Sequence, residues 1–467
     1  MVTNSTEDFP ILDEKYALIK KIGAGATCTV KLGKDILTNK IYAVKLLKTK
    51  GGRITAMQNE KVFKAELESL KKIQHKNIIS IIEGNKGVIK MPNGTTKMKD
   101  YIVLEIASNG ELFDFLFFAK KGFGEYYSRF LFAQLINGLE ACHIAGVAHR
   151  DLKTENIMMS EEWILKLADF GYATLLQGKT GTGILTTPLG TISYAAPEIL
   201  NKKPYNGKSA DLFSCGVILF VLTTGKLPFG KALVYDNYYR NFIRNDYEGF
   251  WNLMGPKIDP ISDEFKDLVN LILANDPSQR PTIEEIKNHA WFKKNTASAE
   301  EMAEEFEKRK VIVKKMREIE SQQQQNEKKN RVVKTGGYKG DGDVVVFIEE
   351  GDREIEDWVD SNNPCKLRIK SSEADAVLNR LYEYFVKVDK KEKKIDVSSK
   401  FYKFNVEYEI EKEVKDLGLD VENLSLEVTV SRAEDDLVVE FMKKGGEKFE
   451  FYDLFENFVN LNNSINV

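Results

Sequence analysis

Two polar motifs at a fixed spacing constrain this chain more than any other feature of its sequence. The first is His149-Arg150-Asp151-Leu152-Lys153-Thr154-Glu155-Asn156, and the second, Asp169-Phe170-Gly171, begins thirteen residues after Asn156. Residues 163–167, which lie between them, are apolar enough to predict a strand. We therefore expect Asn156 and Asp169 to lie at the two ends of a tight hairpin, where their side chains can converge on one site.

The polar residues of these motifs are the types that phosphoryl transfer needs. Asp151 can accept the proton of a substrate hydroxyl, and Lys153 can neutralise the γ-phosphate. Asn156 and Asp169 offer oxygen ligands of the kind that Mg²⁺ prefers. The order and spacing of these residues favour a catalytic site over a set of structural residues.

A glycine-rich turn and a lysine precede these motifs. Gly23 and Gly25 have no Cβ to keep their backbone amides away from phosphates. Taken alone, this turn is more typical of a plain hairpin, and Cys28 stands where a third glycine is common. The turn becomes stronger evidence for a phosphate site because Tyr42-Ala43-Val44-Lys45 follows on a predicted strand, where Lys45 can point inward and hold phosphate oxygens.

A predicted helix over residues 59–73 carries the candidate partner of Lys45. Its apolar residues recur at helical spacing, and Glu66 lies among them. We expect Glu66 to pair with Lys45 and to hold it toward a nucleotide. Glu60 and Glu68 on the same helix are the alternatives, and we expect both to face solvent.

With Gly190-Thr191-Ile192-Ser193-Tyr194-Ala195-Ala196-Pro197-Glu198, the motifs form an ordered set that resembles the eukaryotic protein kinase family over residues 16–292. The resemblance implies an α+β chain with a two-lobed protein kinase fold, in which the N-lobe is β-rich and the C-lobe α-rich. A small C-terminal α+β domain follows. We also expect Arg280 to pair with Glu198. Asp211 is expected to accept backbone amides of the catalytic loop, which is the name used here for residues 149–156.

The same resemblance implies ATP and Mg²⁺ as cofactors and assigns the site residues. The catalytic group is Asp151, Lys153, Lys45 and Glu66, and the metal ligands are Asn156 and Asp169. Leu104 guards the back pocket. The residues expected to contact ATP lie on the glycine-rich strands and the hinge: Gly23, Gly25, Val30, Ala43, Lys45, Glu105, Ala107 and Glu111.

Further details of the sequence point to one branch of the family. Lys153 and Thr191 are similar to the serine/threonine branch, and residues 101–114 resemble the calcium/calmodulin-dependent and AMP-activated group.

Glu111 and Glu155 match positions that receive basic substrate residues in relatives, which implies a preference for Arg about three residues upstream of the target hydroxyl. The alternative is that both acids serve ribose binding or structure. Thr154 stands where many relatives carry Pro.

Regulation by phosphorylation is expected in the segment 171–197. Arg150 directly precedes the catalytic Asp151, and a cation there can be met by a phosphate on that segment. Thr187, three residues before Gly190, is the expected phosphorylation site, and its neighbour Thr186 is the rival. An upstream activating kinase is the partner that this site implies.

Beyond the kinase-like region, residues 293–342 are densely charged, and we expect a solvated helix followed by a flexible linker. Residues 343–467 form a second unit. Strands are expected at Asp343–Ile348, Leu424–Val430 and Leu437–Met442, and helices at Ala374–Val386 and Phe451–Leu461. Residues 365–461 resemble the kinase-associated-1 module of checkpoint effector kinases and of plant calcineurin-B-like-interacting kinases. An unrelated α+β domain is the alternative.

Charge and composition narrow the expected partners. Residues 336–467 carry 31 Asp and Glu against 19 Lys and Arg, a balance of −12. That balance argues against an anionic membrane surface, and no nucleic-acid partner is expected. We expect protein substrates and a protein partner on the C-terminal domain, which restrains the kinase or docks partners. The alternatives are a pseudokinase scaffold, or a C-terminal docking or lipid-binding module as the main role.

The cysteines and apolar runs bear on the compartment. Cys28, Cys142, Cys215 and Cys365 are scattered without metal-ligand spacing, which is typical of a reducing compartment. The most apolar run, residues 216–222, is far shorter than the roughly 20 residues of a membrane helix, and residues 1–10 lack the apolar core of a secretory signal. A cytoplasmic or nuclear protein is expected.

Overall fold

The computed structural model describes residues 9–24, 27–48, 56–119, 121–178 and 181–330, together with five strands between residues 366 and 445. The chain divides into two compact units, Met1–Arg309 and Lys310–Val467. The first unit holds both parts of the kinase-like region, and the second holds the acidic C-terminal residues.

The N-terminal part of the first unit is an antiparallel barrel. Its strands pair in the closed order β1-β2-β3-β4-β6-β5. The six strands are β1 Ile11–Leu12, β2 Tyr16–Ala24, β3 Cys28–Asp35, β4 Ile41–Leu47, β5 Ile81–Lys90 and β6 Thr96–Leu104. One helix, α1 Ala56–Leu70, follows β4. Fully buried Leu12, Tyr16, Leu18, Val44 and Val103 form the core of the barrel.

The short strand β1 closes the barrel because it pairs with both β2 and β5. The carboxylate of Asp13, just after β1, accepts hydrogen bonds from the backbone N–H of Val88 (2.7 Å) and the hydroxyl of Tyr101 (2.9 Å). These bonds fix the entering chain against the β5–β6 hairpin. The compact lobe therefore begins before residue 16.

The C-terminal part of the first unit is mainly helical. Its helices are α2 Leu112–Phe117, α3 Gly124–Ile144, α4 Pro197–Leu200, α5 Gly207–Thr224, α6 Tyr239–Ile243, α7 Tyr247–Met254, α8 Asp263–Ile272, α9 Ile283–Asn288 and the start of α10 Ala299–Asn330, which continues into the second unit. Short strands are β7 Gly110–Glu111, β8 Val147–Ala148, β9 Ile157–Met159, β10 Leu165–Leu167, β11 Thr174–Leu175, β12 Ile184–Leu185 and β13 Tyr205–Asn206. The two-lobed fold that the sequence predicts is thereby confirmed.

Helix α5 is the central element of this lobe. Asn206 caps its first turn through backbone N–H groups of Lys208 and Ser209, and Gly225 ends it in a left-handed conformation. A Cβ at Gly216 would lie 2.6 Å from Ile272, so α5 and α8 approach closely only because this residue is glycine. By length and hydropathy α5 could cross a membrane, but 78% of it is buried inside the lobe, which accounts for its apolar character.

A buried ion pair ties α4 to the segment before α9. The Arg280 guanidinium donates to both Glu198 oxygens at 2.7 and 2.8 Å, and its Nε donates to the carbonyl of Ala274 at 3.0 Å. The two side chains are 1% and 7% exposed. Each charge is therefore satisfied in a place that water does not reach.

Most predicted elements lie within a few residues of their observed positions. Helix α1 begins three residues before the predicted start. Strand β5 begins only at Ile81, because Ile78 and Ile79 form a bridge and a 2.9 Å backbone hydrogen bond with Leu167 of β10. Strands β5 and β6 form a hairpin whose turn lies between Lys90 and Thr96.

The first turns of α10 differ from the solvated helix expected in residues 293–342. The helix forms, but Met302 and Phe306 are fully buried and Arg309 is 7% exposed. Their spacing of four and three residues places them on one face of a helix. Dense Glu, Lys and Arg on the other faces make the segment polar as a whole, so composition alone does not reveal this face.

Besides the part of α10 that follows Arg309, the described residues of the second unit form a five-stranded antiparallel sheet of order β14-β18-β17-β16-β15. The strands are β14 Lys366–Ile369, β15 Lys393–Val397, β16 Lys403–Tyr408, β17 Ser425–Ala433 and β18 Asp436–Gly445. Two of the predicted strands lie in β17 and β18. The predicted strand Asp343–Ile348 and both predicted helices of this unit lie outside the described residues.

We predict that Arg280→Ala lowers the free energy of unfolding of the full chain by about 3–5 kcal/mol, because it leaves the Glu198 carboxylate buried without its partner. Urea unfolding followed by tryptophan fluorescence measures this loss. Lys266→Ala is the matched control: Lys266 and Asp263 form a 2.9 Å pair whose acid is 95% exposed, and its loss should cost at most about 1 kcal/mol. Equal losses in the two variants would contradict the prediction.

Candidate active site

An ion cluster around Lys45 lies where the two lobes meet. Lys45 points inward from β4, and its ammonium donates to both Glu66 oxygens at 2.8 and 2.6 Å and to Asp169 Oδ1 at 2.9 Å. Glu66 comes from α1, and Asp169 follows β10. The rivals of Glu66 on α1 stay outside the cluster, since Glu60 pairs with Lys64 at the surface and Glu68 is exposed.

The cluster changes the ionisation of its members. The Lys45 ammonium holds the pKa of Asp169 at about 2. Burial raises the pKa of Glu66, although Lys45 opposes that effect. Burial alone would lower the pKa of Lys45, but the carboxylates of Asp169 and Glu66 raise it above the usual range. Asp169 thus remains ionised at neutral pH, as a metal ligand must be.

The catalytic loop is fixed from below by Asp211, a buried residue of α5. Its two oxygens accept the backbone N–H groups of His149 at 2.9 Å and Arg150 at 2.8 Å, and His143 Nε2 lies 3.0 Å away. Arg150 has a φ of 67° and Asp169 one of 58°, both in the left-handed region that non-glycine residues seldom adopt. The surrounding hydrogen bonds hold this strain at the site.

Asp151 is surrounded by donors. Its carboxylate accepts from the Asn156 amide at 3.0 Å and from the N–H and hydroxyl of Thr191 at 2.9 and 2.8 Å. The Lys153 ammonium lies 3.4 Å from Asp151 Oδ2 and donates to the Thr191 hydroxyl at 2.7 Å. Asp151 and Lys153 are therefore close enough to act together on one substrate hydroxyl.

Asn156 and Asp169 lie at the ends of the β9–β10 hairpin, as their spacing predicts. The Asn156 amide nitrogen donates to Asp151, so its oxygen is the atom that can serve a cation. Among the described residues no three His, Cys, Asp or Glu side chains form a metal cluster. A divalent cation held by Asn156 and Asp169 would complete its shell with phosphate oxygens and water, which suits Mg²⁺.

Three of the predicted ATP contacts lie on paired strands beside Lys45. Gly23 pairs with Val30, Val30 with Lys45, and Ala43 with buried Leu104. Gly23, Val30 and Ala43 are all partly exposed although they lie in strands. Gly25 lies outside the described residues.

The hinge residues follow directly after β6. The Glu105 side chain is held by Lys166 at 2.9 Å and by the N–H of Ser80 at 2.7 Å. Its own N–H donates to the Ser80 carbonyl at 2.9 Å, so its carbonyl is the group that can meet a nucleotide. Ala107 is half-buried in the linker to β7. Glu111 ends β7 and is the N-cap residue of α2.

The expected regulatory residues lie close together. Thr186 and Thr187 are both exposed, just after β12, which pairs with β13. The Tyr205 hydroxyl donates to the Thr187 carbonyl at 2.9 Å. Arg150 Nε donates to the carbonyl of Tyr172 at 2.7 Å, and the Arg150 guanidinium also opposes the effect of burial on the pKa of Tyr205. Tyr205 thus connects Arg150 with Thr187.

Sequence reasoning misses two hydroxyl groups of the site. In the sequence Thr191 serves only as a marker of the serine/threonine branch, yet its hydroxyl bridges Lys153 and Asp151. Thr154 stands out only because Pro is common there, but its buried hydroxyl lies 2.9 Å from the Tyr194 hydroxyl and donates to Glu155 at 3.0 Å. A hydroxyl in place of Pro adjacent to a candidate substrate-binding acid is the available signal.

The comparisons with known proteins agree with this geometry. The family model described as "Protein kinase domain" matches residues 16–292. CBL-interacting protein kinase 11 of Oryza sativa subsp. japonica is 37% identical over 61% of this chain and 52% of its own length. The probable serine/threonine-protein kinase MARK-B of Dictyostelium discoideum is 37% identical over 60% of this chain and 36% of its own. The SNF-related serine/threonine-protein kinase of Homo sapiens is 35% identical over 59% and 33%.

The two-lobed fold and the arrangement of Lys45, Asp151 and Asp169 are those of a protein kinase domain. The matched region covers more than half of the chain, and the chain belongs to the protein kinase domain family. It spans about half the length of the rice relative and about a third of the other two. The resemblance of residues 365–461 to a kinase-associated-1 module stays a prediction.

We predict that Asp151→Asn lowers kcat by about 10²–10⁴-fold, the usual contribution of a general base, while the dissociation constant for ATP changes little. Peptide phosphorylation and nucleotide binding by calorimetry measure the two quantities. Asp259→Asn, at a side chain that is 79% exposed, is the matched control and should retain kcat. A tenfold weaker ATP affinity with unchanged kcat would contradict this role.

Proposed function

We propose that this chain is a protein kinase that transfers the γ-phosphate of ATP to serine or threonine hydroxyls of protein substrates. One observation carries the proposal: the Lys45 ammonium holds Glu66 and Asp169 together across the lobes, 2.6 and 2.9 Å away. Phosphoryl transfer depends mainly on positioning and on charge stabilisation. A site with this ion cluster already assembled is suited to that chemistry.

The residues divide the reaction among them. Lys45 binds phosphate oxygens of ATP while Glu66 keeps its ammonium in place. The substrate hydroxyl oxygen forms a bond to the γ-phosphorus as the bond to the β-γ bridging oxygen breaks, and its proton passes to Asp151. Lys153 stabilises the negative charge on the transferred group, and the Thr191 hydroxyl holds both residues in register. When bound by Asn156 and Asp169, Mg²⁺ would neutralise phosphate charge.

A pseudokinase scaffold is not supported by the site. Such a protein lacks at least one of the residues that bind nucleotide, metal or proton. Here Lys45, Asp151 and Asp169 are all present, and the described contacts bring them to one cleft. The restraining or docking role of the C-terminal unit stays a prediction of the sequence.

We also propose that the substrates carry Arg upstream of the target hydroxyl. Glu155 lies in the catalytic loop next to Asn156, and its carboxylate accepts a hydrogen bond from the Thr154 hydroxyl, which in turn lies 2.9 Å from the Tyr194 hydroxyl. An oriented and partly exposed carboxylate suits the planar guanidinium of Arg. Glu111, at the start of α2, supplies a second acid.

We predict that Glu155→Gln reduces discrimination between a peptide with Arg about three residues upstream and the same peptide with Ala there by about 10- to 100-fold, since a charged hydrogen bond contributes about 1.5–3 kcal/mol. The ratio of kcat/KM for the two peptides measures it. Glu161→Gln removes one exposed acid nearby and should preserve the ratio. If the KM for ATP rises instead and discrimination stays, the acid serves ribose binding or structure.

Phosphorylation of Thr187 is the proposed switch. Its side chain is exposed, while its carbonyl is anchored by Tyr205 next to Arg150. A phosphate there would place about two negative charges near the Arg150 guanidinium. The charge pair would order the segment that carries Gly190 and Thr191, and with it the groups that contact Asp151.

We predict that Thr187→Ala lowers kcat/KM by about tenfold or more, because it removes one to three charge-assisted hydrogen bonds. The chain is first treated with an activating kinase, and the phosphate is located by mass spectrometry. Thr186→Ala, at the equally exposed neighbour, is the control and should retain activation. Full activation of Thr187→Ala with loss in Thr186→Ala would assign the switch to the rival residue.

A further inference from the structure

The first turns of α10 pack on the C-lobe outside the region that the family model matches. We call residues 299–309 the extension. The Phe306 ring stacks on Trp163 with centroids 4.7 Å apart and planes 2° apart, and it meets Phe115 and Phe123 edge-on at 5.1 and 5.2 Å. Phe306 is fully buried. The extension therefore belongs to the compact unit of the kinase lobe.

Arg309 is the polar anchor of the extension. Its guanidinium donates to the backbone carbonyls of Phe115 at 3.1 Å, Lys121 at 2.8 Å and Gly122 at 2.8 Å. Its Nε donates to Glu305 at 2.8 Å, and the guanidinium carbon Cζ lies 3.8 Å from the Phe123 ring centroid. A guanidinium that is 7% exposed and forks onto three carbonyls has a specific geometry that a lysine cannot reproduce.

These carbonyls belong to two elements that Arg309 joins. Phe115 lies in the last turn of α2, whose carbonyls have no partners within the helix, and a cation is favourable there. Lys121 and Gly122 lie in the loop that precedes α3. That loop is fixed on α5, because the Phe123 N–H donates to the Leu222 carbonyl at 2.7 Å.

Two of the structures that the extension contacts, α2 and the β9–β10 hairpin, lead to the active site. Helix α2 has six residues, and Glu111 is its N-cap residue, so a shift of its last turn moves Glu111 too. Trp163 lies in the turn between β9 and β10, the hairpin whose ends carry Asn156 and Asp169. Phe115 also meets Trp163 edge-on at 5.4 Å.

We propose that Arg309, which lies beyond the family-matched residues 16–292, is a positioning residue of the kinase active site. It fixes α2 against the loop before α3, and so fixes Glu111 relative to the catalytic loop. Phe306 supports the same contact from the side of the β9–β10 hairpin. This inference rests on the proposed kinase function, since its readout is the binding of ATP and peptide during phosphoryl transfer.

The test compares Arg309→Ala with Lys308→Ala in the full chain. Both variants remove one positive charge from the same helix turn, but Lys308 is exposed. We expect Arg309→Ala to raise the KM for ATP or for the Arg-containing peptide by about three- to tenfold while kcat changes less, because misplacement of a contact residue weakens binding. Lys308→Ala should retain wild-type values.

Two further measurements distinguish a positioning role of Arg309 from a merely structural one. Arg309→Lys keeps the charge and the stem, so it should fold even if the alanine variant melts near the assay temperature, and its KM should rise by a smaller factor. In the Glu111→Gln background, Arg309→Ala should raise the KM by less than it does in the wild-type chain, because the two residues act through one helix.

The outcomes distinguish the inference from the proposed function. An active wild-type chain in which Arg309→Ala lowers the melting temperature but keeps both KM values overturns the inference alone. Fully multiplicative effects of Arg309→Ala and Glu111→Gln also overturn it. An inactive wild-type chain with bound activating phosphate overturns the proposed function and the inference with it.

Discussion

The ammonium of Lys45 joins the two lobes at the active site, because its acidic partners come from both. It receives two carboxylates, one from α1 above the cleft and one from the segment after β10 below it. Neither acid has a second cation of comparable proximity among the described contacts. The Glu66 carboxylate is buried and would be costly without a partner, so α1 is held close to Lys45. Asp169, whose side chain is 52% exposed, meets the same ammonium. A displacement of α1 would separate Glu66 from Lys45 and so change the ion pair between Lys45 and Asp169 in the same step.

Below the cleft, buried polar side chains supply the order that hydrophobic packing supplies elsewhere. Asp211 holds two consecutive backbone amides of the catalytic loop, and Arg280 holds Glu198, which directly follows the segment 171–197. Such contacts are directional, so they define the loop conformation more sharply than apolar contacts can. They also allow Arg150 and Asp169 to keep left-handed backbone conformations beside the reacting groups.

The chemistry of this site could be predicted from the sequence better than its supports. The motifs around Asp151 and Asp169 identify residue types whose spacing permits few other uses, and the structure brings them to one cleft. The contacts of Thr191 and Thr154 were not predictable, because a hydroxyl reveals its partner only when two loops are brought together. The extension is missed for a different reason. Its buried face consists of single apolar residues and an Arg within a highly charged helix, and the composition of the segment does not separate such a face from a solvated one.

The packing of Phe306 has a consequence for where the kinase lobe can be cut. A chain that ends near residue 295 keeps every catalytic residue but uncovers the rings of Phe115, Phe123 and Trp163 and leaves three carbonyls without the guanidinium of Arg309. Its activity would combine two effects, the removal of the C-terminal sheet and the loss of a lobe contact. A boundary that retains Arg309 separates them, so that a change in activity can be assigned to the acidic C-terminal unit itself.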